Sequence, residues 1–558
     1  MDYRETYELW KNDPFFDEET RAELAALTDE KEIKERFYKE LEFGTGGLRG
    51  IIGAGSNRIN KYNVRRATTG YAQFLLEKFG EDAKKRGIAV AFDCRNFSRE
   101  FARETALTMA AFGIKVYLYT ILSATPLLSF TVRHLGCVGG VVITASHNPA
   151  EYNGYKAYDE TGCQLLPDDA DNVIAKVGAV DIRSTKVMDL EEAKAAGLVV
   201  EIGDDVLGAF LDAVEAQAHP IDEAAKKALK IVYTPLHGAG NKPVREVLKR
   251  QGYTGLSVVE EQCVEDGNFP TVEYPNPEER GALKMGMDLA DKLGADLVVA
   301  TDPDSDREGI AVRHNGEMVL LTGNQTGALL VDYVMKRRAD QINDKTTMIK
   351  TIVTGELGAD IARKKGVKVM NVMTGFKFIG DIMNRFDRDG SGEYIFGYEE
   401  SYGVLVGTHA RDKDAVVGTM LICEMAAWYK QQGKTLVDVL DALYAEYGYY
   451  NDVTTSYTLK GMDGAAKIKG ISAHLREIGK DLMEGITEIK DYKDGCDGLP
   501  KSDVLKYFFA DGSWMAVRPS GTEPKIKVYY GVKRATKEEA LEVFNARKAV
   551  MDGIVNNA

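Results

Sequence analysis

Short apolar runs alternate with amphipathic stretches along most of the chain, and their periods predict alternating strands and helices. The runs at 87–92, 138–143 and 295–300 are typical of buried strands. Between them, 99–112 has the spacing of a helix, and 114–118 reads as a further strand. This βαβ alternation predicts parallel or mixed sheets covered by helices.

The same alternation returns twice further along the chain. A strand at 229–233 precedes a helix at 241–251, and a strand at 317–321 precedes a helix at 324–336 and a strand at 348–353. Each of the three α/β segments also contains a polar, chemistry-bearing loop after an apolar strand. The pattern indicates three successive α/β units, related as a diverged internal repeat.

The two ends of the chain differ from this repeat. Residues 2–37 read as helices rich in Glu, Lys and Leu. After about residue 448 an alternating strand at 452–459 precedes a helix, two β runs and a last helix. That helix opens with Thr536-Lys537-Glu538-Glu539, a capping box. The fold class predicted is therefore α/β, with three successive α/β domains and a C-terminal α+β domain. The predicted domains are 1–200, 201–315, 316–447 and 448–558.

Length and charge indicate a multidomain protein that is not a general nucleic-acid binder. At 558 residues the chain is too long for one core. Lys plus Arg number 71 against 86 Asp plus Glu, giving a formal charge of −15. Nucleic-acid affinity comes from clustered basic residues, so this balance argues against a general nucleic-acid partner.

Cysteine usage and the terminus indicate the compartment. The six cysteines are scattered without a Cys-x-x-Cys pair, which is typical of reduced thiols. The amino terminus is polar and lacks a signal-like apolar region, and no apolar run is long enough to cross a bilayer. We expect a cytoplasmic protein without a membrane partner.

The first candidate site is the loop Thr144-Ala145-Ser146-His147-Asn148-Pro149, directly after the strand at 138–143. It presents a hydroxyl, an imidazole and a carboxamide where open α/β sheets bind ligands, at the carboxyl end of a strand. Alone, the loop could also be an ordinary polar connection.

The second candidate is Thr301-Asp302-Pro303-Asp304-Ser305-Asp306-Arg307, after the strand at 295–300. Three carboxylates spaced two apart can converge on one hard cation, and without a cation they repel each other. An EF-hand is a poor fit, since its glycine position falls on Arg307 and its terminal glutamate position on Arg313. Magnesium is favoured over calcium if a phosphate supplies a ligand. A solvated acidic turn is the alternative.

Two further loops could bind a sugar and a phosphate. Gly397-Tyr398-Glu399-Glu400-Ser401 offers carboxylates and a hydroxyl suited to sugar hydroxyls. Arg518-Pro519-Ser520-Gly521-Thr522 offers a guanidinium, two hydroxyls and backbone amides to an anion. A plain surface turn and a plain hairpin loop are the respective alternatives.

Together the four motifs resemble the α-D-phosphohexomutase superfamily, which includes phosphoglucomutases and phosphomannomutases. They occur in the family's order over nearly the whole chain. Phe43-Gly44-Thr45-Gly46-Gly47-Leu48-Arg49-Gly50 and Asn153-Gly154-Tyr155-Lys156 add to the match. The amino-terminal extension and Thr374-Gly375-Phe376-Lys377-Phe378 look like the bacterial α-phosphoglucomutase branch related to phosphopentomutases.

The resemblance implies four domains around a central active-site cleft and a phosphoserine mechanism. Ser146 would pass a phosphoryl group to glucose 1-phosphate or glucose 6-phosphate through glucose 1,6-bisphosphate, which also activates the enzyme. One Mg²⁺ would bind Asp302, Asp304, Asp306 and the phosphorylated Ser146. Lid or domain closure is expected, since an open site would let water accept the phosphoryl group.

The resemblance also assigns the remaining residues. Arg49 and Arg307 would assist near the serine, and Lys156 or His147 would be the base. A lysine acts so near neutrality only if its pKa is lowered. The substrate-binding residues it implies are Arg307, Glu399, Ser401, Lys377, Lys413, Arg518, Ser520, Gly521 and Thr522. Phe376 stands where some relatives have histidine, so the preferred sugar is open: mannose or pentose phosphate are alternatives to glucose phosphate.

Two other classes of function are alternatives to a mutase. A sugar-phosphate phosphatase, or a serine hydrolase using Ser146 and His147, would hydrolyse rather than isomerise. The Gly-x-Ser-x-Gly elbow of α/β-hydrolases is absent around Ser146. A silent sugar-phosphate binder would not need an intact nucleophile and acidic triad. The expected partners are small sugar phosphates, and the expected state is a monomer or a small homo-oligomer.

Overall fold

The computed structural model describes residues 2–44, 46–459, 464–519 and 525–557. These residues form two compact units. The first unit comprises Met1–Leu321, Ile379–Ser391 and Tyr402–Gln432, and the second comprises Thr322–Phe378, Gly392–Ser401 and Gly433–Ala558.

The described helices are α1 Tyr3–Asn12, α2 Glu18–Ala25, α3 Glu30–Phe37, α4 Lys61–Phe79, α5 Glu81–Arg86, α6 Ser98–Ala111, α7 Thr125–His134, α8 Pro167–Ala179, α9 Leu190–Ala195, α10 Asp204–Glu215, α11 Glu223–Ala228, α12 Asn241–Arg250, α13 Arg280–Leu293, α14 Gly323–Arg337, α15 Leu357–Lys364, α16 Phe376–Asp389, α17 Ala415–Lys430, α18 Leu436–Tyr447, α19 Gly464–Ile478 and α20 Lys537–Asn556. Single 3₁₀ turns lie at Ile182–Ser184, Glu260–Gln262, Ala339–Gln341 and Gly479–Leu482.

The described strands are β1 Leu48–Ile51, β2 Ile88–Phe92, β3 Val116–Tyr119, β4 Gly139–Ile143, β5 Tyr152–Asp159, β6 Val199–Ile202, β7 Ile231–Thr234, β8 Leu256–Val258, β9 Leu297–Thr301, β10 Glu308–His314, β11 Glu317–Leu321, β12 Thr346–Thr351, β13 Lys368–Val372, β14 Glu393–Glu399, β15 Gly403–Leu405, β16 Tyr449–Thr458, β17 Ile486–Asp491, β18 Leu505–Phe509, β19 Trp514–Pro519 and β20 Lys525–Arg534.

The first sheet of the first unit has the order β1-β5-β4-β2-β3-β6. Strands β2, β3, β4 and β6 pair in parallel, while β5 pairs antiparallel with both β4 and β1. Every residue of β2 and β4 is buried, as expected for parallel strands covered on both faces. The predicted mixed sheet is therefore confirmed, with an antiparallel hairpin at one edge.

The second sheet of the first unit repeats this plan in the order β11-β10-β9-β7-β8. Strand β7 pairs in parallel with β8 and β9, and β9, β10 and β11 continue antiparallel. In both sheets a buried parallel strand thus turns directly into an antiparallel partner. Neither returning strand, β5 or β10, had been predicted from the apolar pattern.

The second unit contains the terminal segment and the remaining α/β segment, except for Ile379–Ser391 and Tyr402–Gln432, which belong to the first unit. Strand β12 pairs in parallel with β13 and β14. The terminal sheet is antiparallel throughout, in the order β16-β20-β19-β18-β17. Helix α20 begins at the predicted capping box, where the Thr536 side chain accepts from the Glu539 amide. These observations confirm the α/β class with a C-terminal α+β segment.

The domain limits of 1–200, 201–315, 316–447 and 448–558 remain a prediction, and two strand pairings lie across them. Strand β6, which contains residues 200 and 201, pairs with β3 in the first sheet. Strand β10 lies before the limit at 315/316, and its hairpin partner β11 lies after it.

The helices α1–α3 form a cap with its own aromatic core. Trp10 stacks on Phe16 with ring centroids 4.2 Å apart, and Tyr62 of α4 meets both rings edge-on. The predicted helical amino-terminal extension is confirmed, and its aromatic contacts join it to the first α/β segment. Across the described ranges, helices that combine the length and the apolar character needed to cross a bilayer are absent.

Candidate active site

The serine loop is the hairpin connection between β4 and β5. Ser146 is buried, with 4% of its surface exposed, and its φ of 52° lies in the left-handed region. Its Oγ donates to Asp302 Oδ2 at 2.9 Å and lies 3.1 Å from His147 Nδ1. For a residue with a side chain this backbone conformation is strained, so the surrounding contacts must hold it.

Arg95 supplies several of those contacts from the loop after β2. Strands β2 and β4 are parallel neighbours, with Phe92 opposite Ile143, so the loops at their carboxyl ends meet. The Arg95 guanidinium donates to the carbonyl oxygens of Ser146 at 2.6 Å, Pro149 at 2.8 Å and Tyr152 at 3.0 Å, and to that of Asn148. One cation thereby binds four carbonyls, that of Ser146 itself and three in the loop and strand that follow it.

Arg95 is itself fixed from behind. Its backbone amide donates to Asp93 Oδ1 at 3.0 Å, and its Nε lies 3.4 Å from Asp93 Oδ2. The face of Phe269 lies 5.0 Å from its guanidinium carbon. Burial lowers the pKa of Arg95 and raises that of Asp93. The sequence motifs did not identify Arg95, although its position just after a buried strand is the same signal that identified Ser146.

The acidic loop connects β9 to β10, and all three of its carboxylates are buried. One oxygen from each of Asp302, Asp304 and Asp306 lies within 4.8 Å of the others. Asp302 Oδ1 accepts from the amides of Asp306 and Arg307, both at 3.1 Å. The predicted convergence of the three acids is therefore present in the fold.

Two lysines and an arginine offset part of this negative charge. Lys156 of β5 donates to Asp304 Oδ2 at 2.7 Å, and Lys413 lies 3.1 Å from Asp306 Oδ2. Arg307 Nε lies 3.6 Å from Asp306 Oδ1. The sequence predicts that a metal cation compensates this charge, and the fold also brings basic side chains from distant segments to the carboxylates.

The carboxylates differ in their proton affinity. Burial, together with Asp304 and Asp306, raises the pKa of Asp302 well above its usual range. Burial also opposes ionisation of Asp306, but Lys413, Lys156 and Arg307 outweigh it and lower its pKa. Burial lowers the pKa of Lys156, yet Asp304 and Asp306 outweigh that and raise it.

The donor set fits a hard divalent cation. Within the described residues, Asp304 Oδ1 and Asp306 Oδ1 are buried and accept no hydrogen bond. Buried carboxylate oxygens without donors are costly, and oxygen donors are what Mg²⁺ prefers. Thr125 orients the set, since its Oγ1 donates to Asp304 Oδ2 at 2.9 Å and its amide donates to the Asp304 carbonyl.

The other predicted residues of the first unit surround this centre. Arg49 of β1 donates to Asn148 Oδ1 at 3.2 Å, beside the serine loop. Arg307 contacts Glu278 at 3.2 Å, and Lys413 lies 3.1 Å from Asp412 Oδ1. The fold thus brings together Arg49, Ser146, His147, Lys156, Asp302, Asp304, Asp306, Arg307 and Lys413 in one unit.

The remaining predicted residues lie in the second unit. Glu399, at the end of β14, is buried and accepts from the Gly375 amide at 2.9 Å. Ser401 follows it in the chain, and Lys377 Nζ lies 5.5 Å from the Phe378 ring. Arg518 lies on β19 and interacts with the Tyr529 hydroxyl of β20. Ser520, Gly521 and Thr522 lie outside the described residues.

Comparisons with known proteins agree with this arrangement. Family models described as phosphoglucomutase/phosphomannomutase alpha/beta/alpha domains I, II and III match residues 40–183, 208–316 and 322–447, and the model of the C-terminal domain matches 466–548. A phosphoglucomutase of Staphylococcus aureus (strain MRSA252) is 36% identical over 535 residues, covering 92% of this chain and 94% of that one.

Two solved structures share the fold. Parafusin, a phosphoglucomutase from Paramecium, aligns with a TM-score of 0.69 at 19% identity, covering 92% of this chain and 95% of that one. A phosphoglucomutase/phosphomannomutase family protein from Burkholderia thailandensis aligns with a TM-score of 0.67 at 18% identity, covering 91% and 97%.

The acidic triad generates a direct prediction about metal binding. Replacing Asp304 with Asn removes one charge and one of the two oxygens that lack donors, so Mg²⁺ affinity should fall by at least ~10-fold. Isothermal titration calorimetry with Mg²⁺ and Mn²⁺ measures this. Asp288→Asn is the matched control, because Asp288 is an exposed partner of Lys284. Equal affinities in the two variants would contradict the assignment.

Proposed function

Because the chain belongs to the phosphoglucomutase/phosphomannomutase family, we propose that it interconverts α-D-glucose 1-phosphate and glucose 6-phosphate through a phosphorylated Ser146. Enzymes of this family are isomerases, and this chain is one of them. The observation that carries the proposal is the contact of the Ser146 hydroxyl with Asp302, beside two buried carboxylate oxygens that lack donors.

In the proposed cycle Ser146 alternates between ester and free hydroxyl. The bond from phosphorus to Ser146 Oγ breaks as a bond to a sugar hydroxyl forms, which gives glucose 1,6-bisphosphate. That hydroxyl loses its proton to a base. The bisphosphate then presents its other phosphate, which returns to Oγ, and the proton is given back. Phosphoryl transfer depends mainly on positioning and electrostatics, which a rigid buried loop supplies.

Asp302, Asp304 and Asp306 would hold one Mg²⁺ in this proposal, together with an oxygen of phosphorylated Ser146. When bound, such an ion neutralises charge on the phosphoryl oxygens. Lys156, Lys413 and Arg307 already surround the triad, so they limit its repulsion toward an incoming anion. Arg49, held against Asn148, would add a guanidinium beside the serine loop.

His147 and Lys156 are both retained as candidates for the base. The distance of 3.1 Å from His147 Nδ1 to Ser146 Oγ favours the imidazole. Lys156 contacts Asp304 instead, which favours a role as a cation near the transferring group. A base must lie within hydrogen-bond reach of the proton that it takes.

The second unit would bind the sugar and the phosphate that does not react. Glu399 and Ser401 would accept and donate hydrogen bonds to sugar hydroxyls in both orientations of the bisphosphate. Arg518 would hold the distal phosphate with Ser520, Gly521 and Thr522, and Lys377 would add positive charge. The interaction of Arg518 with Tyr529 supports a fixed guanidinium there.

The proposed covalent step is tested by intact mass. Incubation with glucose 1,6-bisphosphate should add one phosphoryl group, and peptide mapping should assign it to Ser146. The Ser146→Ala variant should take up none and should lose at least ~10³-fold in kcat. Ser184→Ala, an exposed serine of the same unit, should match the wild type. Turnover without label on Ser146 would refute the cycle.

The preferred sugar is tested separately. The relatives named phosphoglucomutase favour glucose, whereas Phe376, which stands where some relatives of the resembled family have histidine, keeps mannose and pentose phosphates as alternatives. We expect kcat/KM to be highest for glucose 1-phosphate when it is compared with mannose 1-phosphate and ribose 1-phosphate. A clear preference for ribose 1-phosphate would overturn the glucose assignment, and sustained release of inorganic phosphate would favour a phosphatase.

The Arg95 contacts predict an effect on turnover. A lysine keeps the charge but not the planar fork, so Arg95→Lys should loosen the strained serine turn. We expect kcat to fall by roughly 10–100-fold with KM nearly unchanged. Arg86→Lys is the matched control, since Arg86 also donates to two backbone carbonyls, those of Gly136 and Cys137, away from the serine. Equal kinetics in both variants would contradict this role.

A further inference from the structure

A buried turn of the second unit supports the proposed sugar-binding loop. The turn begins at Thr351, the last residue of β12, and extends to Thr354, and the hydroxyls of these two threonines are 2.7 Å apart. Both hydroxyls donate to Glu400 Oε2, at 3.3 and 3.2 Å. Glu400 stands between Glu399 and Ser401 in the chain, so the turn fixes the middle residue of the loop.

The Glu400 side chain has different contacts from that of its neighbour Glu399. It is partly buried, and burial together with Glu399 raises its pKa. Its carboxyl group is occupied by the two threonines, whereas Glu399 accepts from the Gly375 amide. The position of the loop backbone therefore depends on the turn beneath Glu400.

Two lysines donate hydrogen bonds to backbone carbonyls of that turn. One lies just before the turn in the chain, and the other lies far after it. Lys350 of β12 donates to the Thr354 carbonyl at 3.0 Å and to Glu356 at 2.8 Å. Lys506 comes from β18 of the terminal sheet, and its Nζ donates to the Ile352 carbonyl at 2.5 Å. The turn is thus attached to its own strand and to the sheet that also carries Arg518.

Lys506 is an unusual residue for such a buried position. Only 4% of it is exposed, and its Nζ lies 4.2 Å from the centre of a Trp514 ring and 5.2 Å from that of Phe508. Burial and the nearby Lys350 lower its pKa to about 7, while burial and Glu356 raise the pKa of Asp452 to about 7. A neutral amine still donates, so the contact with Ile352 persists across neutral pH.

Apolar packing at the same junction excludes water from these bonds. Ile352 and Val353 of the turn pack in one cluster with Val504, Trp514 and Tyr529 of the terminal sheet. A buried lysine is stable in such surroundings only when a specific acceptor and aromatic faces receive it. Among the described residues, the Lys506 ammonium thus donates to the carbonyl of Ile352, which lies within the turn.

We propose that Lys506 is a positioning residue for the sugar-binding loop: from the terminal sheet it fixes the turn at 351–354, which holds Glu400 and thereby sets Glu399 and Ser401 against the sugar. The proposal rests on the proposed sugar-binding role of Glu399 and Ser401. It assigns to the terminal sheet a second task, in addition to carrying Arg518.

The test compares Lys506→Met with Lys490→Met. Lys490 is the cross-strand neighbour of Lys506 and approaches the same Phe508 ring, but it pairs with Asp497 at the surface. We expect KM for glucose 1-phosphate to rise about tenfold in Lys506→Met, with kcat within about twofold of the wild type. In Lys490→Met both KM and kcat should equal those of the wild type. In Lys506→Arg, KM should be close to the wild-type value.

A merely structural role would give a different result. Loss of folded protein lowers the active fraction and hence apparent kcat, and it leaves KM unaltered. An unchanged KM in Lys506→Met overturns the proposal, whatever its melting temperature. If that variant does not fold, Thr354→Val decides, because it removes a Glu400 contact and leaves Lys506 in place: an unchanged KM there overturns the proposal.

Failure of the proposed function is recognised independently. A wild-type chain that isomerises no sugar phosphate, or that is never phosphorylated on Ser146, refutes the function itself. An active wild type whose KM is insensitive to Lys506 refutes only the inference. Mg²⁺ affinity, measured by calorimetry, should be equal in wild type and Lys506→Met, since the acidic triad lies in the first unit.

Discussion

The burial of three carboxylates in one loop is the constraint on which the rest of the first unit depends. Asp302, Asp304 and Asp306 are almost fully excluded from water, and charges in that position need partners. Lys156 from β5, Lys413 from the segment before α17 and Thr125 from α7 supply them. The hydroxyl of Ser146 is drawn into the same network through Asp302.

The network explains why the polar and acidic candidate residues lie in hairpin loops in both sheets of the first unit. In each sheet a buried parallel strand ends, a polar loop follows, and the chain returns antiparallel. The returning strand β5 brings Lys156 to the acids, and β1, paired on β5, brings Arg49 to the serine loop. Arg95, in the loop after the neighbouring parallel strand β2, then holds the serine turn, so the Ser146 hydroxyl is fixed on a rigid framework.

The second unit differs from the first in how its candidate residues are placed and supported. Its described candidate residues lie on separate elements: Glu399 ends β14, Lys377 lies on α16, and Arg518 lies on β19 of the antiparallel sheet. Buried lysines and threonines fix the backbone beneath the proposed sugar-binding loop, with apolar packing around them. The residues of the proposed covalent chemistry thus lie in the first unit, and the proposed recognition residues Glu399, Ser401 and Arg518 lie in the second.

The sequence by itself determined the α/β class, the capped final helix, the acidic triad and the family. Those features depend on periodicity and on residues close together in the chain, where spacing limits geometry. Only the tertiary structure decided that β5 and β10 return antiparallel, that Lys413 lies against Asp306, and that Arg95 and Lys506 hold the two loops. These residues act on partners 51 to 154 positions away, as for Arg95 with Ser146 and Lys506 with Ile352. No local pattern encodes such a pairing, because it arises only when the sheets bring distant strand ends together.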